Sequence, residues 1–324
     1  MARVSDLEVD LAGVRLRNPL LLASGIWGES GESLAGAWDA GAGAVITKSI
    51  GSAPRPGYPN PTIESIDGWG FLNAMGLPNP GIEEYPKEIE AARARGATVI
   101  GSVFGGDADE FARLAAQIAR TGVRAVELNL SCPHAEGLGS DIGEDPGEVE
   151  AVTRAVRASV RVPILVKITP NTSDPVALAR AAERGGADAI SAINTLRAIS
   201  IDVRLRRPTL SHGLGGLSGP AIKPVGLACV WQIYGKVGIP IVGVGGIRTA
   251  EDVLQYVMAG ATAVELGTAV AWDGIGVFTR LRRDLAALLD ELGIDRIASA
   301  VGAAHRTSPE LTSTGPVRAG AKPP

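Results

Sequence analysis

The stretch RVPILVKITPNTSDPVALARAAERGGADAISAIN, residues 161–194, decides the fold. Within it, PILVKIT (163–169) and AISAIN (189–194) are short and almost continuously apolar. That is the pattern of a parallel strand buried on both faces. Between them runs an amphipathic stretch of helix length, closed by RGGADAI (184–190). A glycine placed after the last helical turn can take the left-handed conformation that ends a helix, and the next strand starts directly. The same closure recurs as DAGAGAV (39–45), RTGVRAV (120–126) and MAGATAV (258–264).

Six further runs share the character of these two: PLLLAS (19–24), AVITKS (44–49), TVIGSVF (98–104), AVELNLS (125–131), PIVGVG (240–245) and AVELGTA (263–269). With amphipathic stretches alternating between them, the chain reads as eight β/α units, the number that closes a (β/α)8 barrel. An open doubly wound sheet is the rival architecture. Before the first run, SDLEVDLAGVRLR (5–17) alternates in the manner of a small hairpin capping the bottom of the barrel. Two long connections, 50–80 and 196–220, both follow strands. They are therefore expected as insertions on the catalytic face, where barrels build active sites and lids.

Bulk properties narrow the class. A chain of 324 residues can bury a large core without disulfide or metal staples. One barrel domain is expected over 1–306, followed by a disordered Pro-, Gly- and Ser/Thr-rich tail over 307–324. The two cysteines, Cys132 and Cys229, suit a reducing cytoplasm. A net charge of −4 with scattered Lys and Arg argues against a nucleic-acid surface. The N-terminus lacks a signal-peptide pattern, and no stretch reaches the ~18 apolar residues of a membrane span. A cytoplasmic protein is expected.

Chemistry in a barrel gathers at the C-terminal strand ends. Here those ends carry Ser24-Gly25, Lys48-Ser49, Asn129 with Cys132, Lys167, Asn194-Thr195, Gly245-Gly246 and Gly267-Thr268. A lysine inside an apolar strand is costly unless it meets something negative, either a structural partner or a ligand. Two at equivalent strand ends, Lys48 and Lys167, point to ligand contacts. GVGGIRTAEDV (243–253) and ELGTAV (265–270) set glycine loops on adjacent late strands before helices, a phosphate cradle of backbone N–H groups. GGLSGPA (215–221) can add a third wall. Cys132 precedes a proline in a glycine-rich loop and reads as a reactive thiol, whereas Cys229 sits in a helical pattern and reads as inert.

In order along 7–303, the pieces NPLLLASG, TKS, FLNAMGLPNPG, ELNLSCPH, VKITPN, INT, GGLSGPAIKP, GVGGI and ELGTA resemble the soluble dihydroorotate dehydrogenases. The resemblance implies an FMN-dependent oxidation of dihydroorotate to orotate in pyrimidine biosynthesis. It also implies roles. Ala23, Ser24, Gly25, Asn129 and Ile193 would line the flavin, with Lys48 and Ser49 near its ring. Lys167 would face the N1/O2 edge where negative charge appears on reduction. Gly219, Gly245, Gly246, Gly267 and Thr268 would hold the phosphate. Lys48, Asn73, Met75, Gly76, Leu77, Asn129, His134, Asn194 and Thr195 would hold the pyrimidine and its carboxylate, and Cys132 would be the base that takes the C5 proton. No metal site is implied.

GGLSGPAIKP and GLGSDIGEDP are similar to the NAD-linked type, which works with a subunit carrying FAD and a 2Fe–2S cluster. Two cysteines are too few for this chain to ligate such a cluster itself. A homodimer, alone or within a heterotetramer, is implied by resemblance. His134 departs from the asparagine found after Cys-Pro in many relatives, and SCPH also occurs in dihydropyrimidine dehydrogenases, which keeps dihydrouracil open as a substrate. From the residues alone, a Schiff-base aldolase using Lys167 and a non-catalytic phosphate-binding barrel stand as readings of other classes.

Overall fold

The computed structural model describes residues 5–25, 27–130 and 142–306. Cys132, His134 and the expected tail over 307–324 lie outside the described residues. Eight strands form the barrel: β1 (Leu20–Leu22), β2 (Ala44–Ile46), β3 (Val99–Val103), β4 (Ala125–Asn129), β5 (Ile164–Ile168), β6 (Ala189–Ala192), β7 (Ile241–Val244) and β8 (Ala261–Leu266). Each pairs in parallel with its sequence neighbours, and β8 pairs with β1, so the sheet closes and leaves no edge. The open doubly wound alternative is thereby excluded.

Apolar continuity explains the strands. Every residue of β1, β2, β3, β5, β6 and β7 is buried. Most strands stop before their apolar runs do, and the residues that follow, such as Lys48 and Asn194, line a cavity at the strand ends. The four glycine closures behave alike: Gly41, Gly122, Gly186 and Gly260 have φ of 113°, 78°, 98° and 124°.

Around the barrel lie α1 (Gly31–Asp39), α2 (Pro86–Ala94), α3 (Ala108–Ala119), α4 (Pro146–Ser159), α5 (Pro175–Gly185), α6 (Lys223–Ile233) and α7 (Ala250–Ala259), then α8 (Thr268–Asp273) and α9 (Gly276–Glu291). Helix α3 is representative. Asp107 caps it by accepting from the Glu110 N–H, and it buries Phe111, Leu114, Ala115 and Ile118, one stripe at helical spacing. Each large side chain in such a stripe stabilises the fold by about 2 kcal/mol. The N-terminal hairpin is present as Val9–Leu11 paired with Val14–Leu16, its apolar residues buried and Asp10 and Arg15 facing out.

The two long insertions do something the sequence did not announce: they pair with each other. Leu196–Ala198, Gly215–Ser218, Gly70–Asn73 and Ile63–Ile66 form, in that order, one antiparallel four-stranded sheet. Its central register sets Gly216 opposite Asn73, Leu217 opposite Leu72 and Ser218 opposite Phe71.

Candidate active site

A cavity of about 930 Å³ lies between the C-terminal strand ends and the insertion sheet, a volume suited to a cofactor with a small substrate. From β1 come Ala23, Ser24 and Gly25, and from β2 come Lys48 and Ser49. Asn129, Lys167, Ile193, Asn194 and Thr195 enter from the ends of β4, β5 and β6. Gly245, Gly246, Gly267 and Thr268 line it after β7 and β8. The insertions bring Asn73, Met75, Gly76, Leu77 and Gly219. Every described residue singled out from the sequence thus borders one cavity.

At its base Lys167 is almost fully buried, and its Nζ donates to Glu265 Oε2 at 2.7 Å and to Ser24 Oγ at 3.2 Å. Glu127 Oε2 lies 3.9 Å away. Burial alone would pull the lysine pKa down, but the charges of Glu127 and Glu265 outweigh it and hold the ammonium above its ordinary value. A Schiff-base nucleophile needs the neutral amine, so the aldolase reading loses its residue. Lys48 differs: burial dominates and lowers its pKa, partly offset by Glu29, whose Oε1 accepts from its Nζ at 3.3 Å.

Donor counting orients the rest. Ser102 Oγ donates its one proton to Glu127 Oε1 at 3.2 Å, and Ser191 Oγ donates to Oε2 at 3.3 Å. Ser49 Oγ, 2.9 Å from Ser102 Oγ, must then donate to it, which leaves Ser49 free to accept from Asn129 Nδ2 at 3.1 Å. Asn129 Oδ1 accepts in turn from Asn194 Nδ2 at 3.1 Å. The two asparagine amides at the cavity wall are therefore locked in orientation by a carboxylate inside the barrel.

The insertion loop is held as firmly. Buried Asn79 accepts on Oδ1 from the N–H groups of Gly51 and Gly81 and donates from Nδ2 to the Leu77 carbonyl. Leu77 has φ of 55°, a left-handed conformation that costs a branched residue about 1–3 kcal/mol. Thr268 Oγ1 donates to Ser218 Oγ at 2.8 Å, tying the start of α8 to the insertion sheet.

Several residues of the site and its support were missed from the sequence. Glu127 and Glu265 are charged residues inside apolar strand runs, the same signal that exposed the lysines. Asn171 accepts on Oδ1 from the Arg197 N–H at 2.8 Å and donates from Nδ2 to Thr169 Oγ1 at 3.0 Å and to the Thr195 carbonyl at 3.4 Å. Tyr58 and His212, one from each insertion, stack with ring centroids 4.0 Å apart, and no local pattern marks either. Cys229 is buried in α6, and burial pushes its thiol pKa up, as an inert cysteine requires.

Comparison with known proteins agrees with the geometry. The sequence profile of the dihydroorotate dehydrogenase family matches residues 6–289. The chain is 45% identical over 303 residues to the dihydroorotate dehydrogenase B (NAD(+)) catalytic subunit of Methanocaldococcus jannaschii, covering 92% of this chain and 98% of that protein. It is 46% identical to the Pyrococcus furiosus protein of the same name, with 93% and 99% covered, and 47% identical to that of Methanosarcina mazei, with 93% and 96% covered. The fold is shared with a dihydroorotate dehydrogenase from Eimeria tenella crystallised with ferulenol, at a TM-score of 0.80, 24% identity, and 93% and 89% of the two chains covered. With the profile and these relatives spanning most of its length, the chain belongs to the dihydroorotate dehydrogenase family.

Proposed function

We propose that this protein oxidises dihydroorotate to orotate with FMN as its cofactor, and passes the electrons to NAD+ through a partner subunit carrying FAD and a 2Fe–2S cluster. The observation that carries the reading is Lys167: a buried ammonium, held between Glu265 and Glu127, at the floor of a cavity walled by oriented asparagines. FMN fits the residues present. The glycine loop 245–246 precedes α7, Gly219 and Thr268 border the same end, and the first N–H groups of a helix have no intrahelical partner. That end suits a phosphate, and the lysine end suits a ring edge that gains negative charge.

When bound, FMN supplies the hydride acceptor and electron sink. The protein's part is orientation and electrostatics. Lys167 holds positive charge where negative charge develops, preorganised by its two carboxylates. Asn73 spends one amide N–H on the Gly216 carbonyl at 3.1 Å, leaving an N–H and an oxygen for a pyrimidine edge, which needs a donor and an acceptor together. Asn129, Asn194 and Thr195 offer further polar contacts from the barrel side, and Met75, Gly76 and Leu77 close over the substrate. Lys48 serves the substrate carboxylate. Cys132, on the chain following β4, takes the C5 proton. The protein works in the cytoplasm as a homodimer within a larger complex. In support, relatives are named catalytic subunits, and among the described residues no helix is long and apolar enough to cross a membrane.

The test is anaerobic addition of dihydroorotate to the purified, FMN-loaded chain, with dihydrouracil in a parallel cuvette. Bleaching of the flavin bands by dihydroorotate alone is expected. Bleaching by dihydrouracil instead would transfer the protein to the dihydropyrimidine dehydrogenase type and put His134 at the centre of recognition. A protein unable to bind FMN would sink the flavoenzyme reading.

A further inference from the structure

Two carboxylates and one ammonium are enclosed together inside the barrel. The side chains of Glu127 and Glu265 are fully buried and that of Lys167 is 5% exposed. Glu127 receives two hydroxyl donors besides the nearby ammonium, so its oxygens act as acceptors. Glu265 receives Lys167 on Oε2, while its Oε1 is buried and has no partner among the described residues. A carboxylate oxygen left without a donor in such a place is costly. Protonating it removes the surplus charge and leaves one ammonium facing one carboxylate. The lone oxygen thus marks Glu265 as the member of the pair that carries a proton. Glu265 also borders the cavity, next to Lys167.

We propose that Glu265 is a positioning residue acting through Lys167: it stores a proton that keeps the lysine's charge directed at the bound flavin, and it regains that proton from solvent when electrons enter the flavin under alkaline conditions. This rests on the FMN reading above. The balance is simple. Two electrons and one proton taken up by a flavin bound there would leave its neutral ring with one negative charge, facing Lys167. If Glu265 is ionised beforehand, the new negative charge nearby draws one further proton from water onto its carboxylate. No other oxidant or reductant takes part.

The surrounding charges are few. Among the described residues, Lys167 from β5 and Glu127 from β4 face Glu265 directly. The flanking strands β7 and β1 contain only apolar residues and glycine. Lys48, at the end of β2, is engaged with Glu29. On the outside of β8, Asp10 accepts from the Gly13 N–H, Asp252 of α7 pairs with Lys223 at 2.5 Å, and Tyr256 donates to the Gly245 carbonyl. Burial, reinforced by the charge of Glu127, pushes the Glu265 pKa up to about 8, which sets where the effect begins.

The experiment is an anaerobic equilibrium titration of the flavin midpoint potential of the FMN-loaded protein, from neutral to strongly alkaline pH, in parent and Glu265→Gln. The parent is expected to double its slope of potential against pH above about pH 8, as uptake goes from one proton per electron pair to two. Glu265→Gln, isosteric and permanently neutral, should match the parent near neutrality, keep the single slope throughout and lie above the parent in alkali. Superimposable curves, or a doubled slope in both, would overturn the role of Glu265. Should the variant fail to fold or to hold FMN, a parent slope that stays single decides against the proposal unaided. A parent protein that binds no flavin would instead remove the FMN reading, and this inference with it.

Discussion

The barrel strands and the sheet built from the two insertions are ordered by different physics. Strand β3 is buried at every residue and pairs on both sides with its sequence neighbours. Ile63–Ile66 is half exposed along its length, and the sheet to which it belongs joins residues 70–73 to residues 215–218. The barrel also encloses charge, in Lys167, Glu127 and Glu265, while its covering sheet is linked by backbone pairs, the Asn73–Gly216 bond and the stack of Tyr58 on His212. Burial without alternative makes the barrel the stable part. The sheet depends on a register between distant segments, so it can be altered while the barrel stands. That separation suits a site in which the barrel floor handles the cofactor and the sheet handles the substrate.

The strongest challenge to this division is Lys167→Met. It leaves the buried Glu127 carboxylate without its cation beside Glu265, and removal of one partner from a buried pair costs about 3–5 kcal/mol. We expect a large fall in the urea midpoint together with loss of turnover; an unchanged midpoint would show that the charges inside the barrel are not coupled. Next is Leu72→Ala, which empties a position 1% exposed in the insertion sheet. Truncating a buried leucine costs about 2–5 kcal/mol, here falling on a separable element. KM for substrate should therefore rise with the flavin spectrum intact and a smaller change in Tm than Lys167→Met produces. An equal fall in Tm would mean that sheet and barrel unfold as one.

A subtler contrast is in pH. The folded chain keeps a proton on Glu265 up to about 8, against a usual value of 4.5, whereas the unfolded chain releases it near 4.5. The stability this group contributes is thus complete below 4.5 and is lost as pH rises toward 8. In Glu265→Gln the Tm should decline less across that interval than in the parent, and parallel profiles would remove Glu265 from the account. The smallest effect belongs to Tyr58→Leu. Loss of an aromatic pair of about 0.5–1.5 kcal/mol should raise KM by no more than about tenfold and leave Tm in place. A collapse of flavin binding in this variant would contradict the assignment of the sheet to substrate.

Much of the site could be read in advance because its signals are local. Lys48 and Lys167 stand out as charges in apolar runs, and Gly245-Gly246 stands out as a loop before a helix. The same signal was available at Glu127 and Glu265 and was passed over, since a glutamate in a strand has no meaning until the lysine across the barrel is known. Asn171, Tyr58 and His212 had no local signal at all: their roles depend on what approaches from another segment.

Sequence by itself determined the eight strands, the glycine stops between helix and strand, and the roster of residues at the strand ends. Each of these follows from hydrophobic period and backbone conformation within a few consecutive residues. Only the tertiary structure decided that the two insertions join into one sheet, that Lys167 meets Glu127 and Glu265 inside the barrel, and that a chain of serines and asparagines runs from Glu127 to the cavity wall. Those are contacts between strands brought together by barrel closure, where distance and the count of donors and acceptors govern the energy and separation along the chain does not.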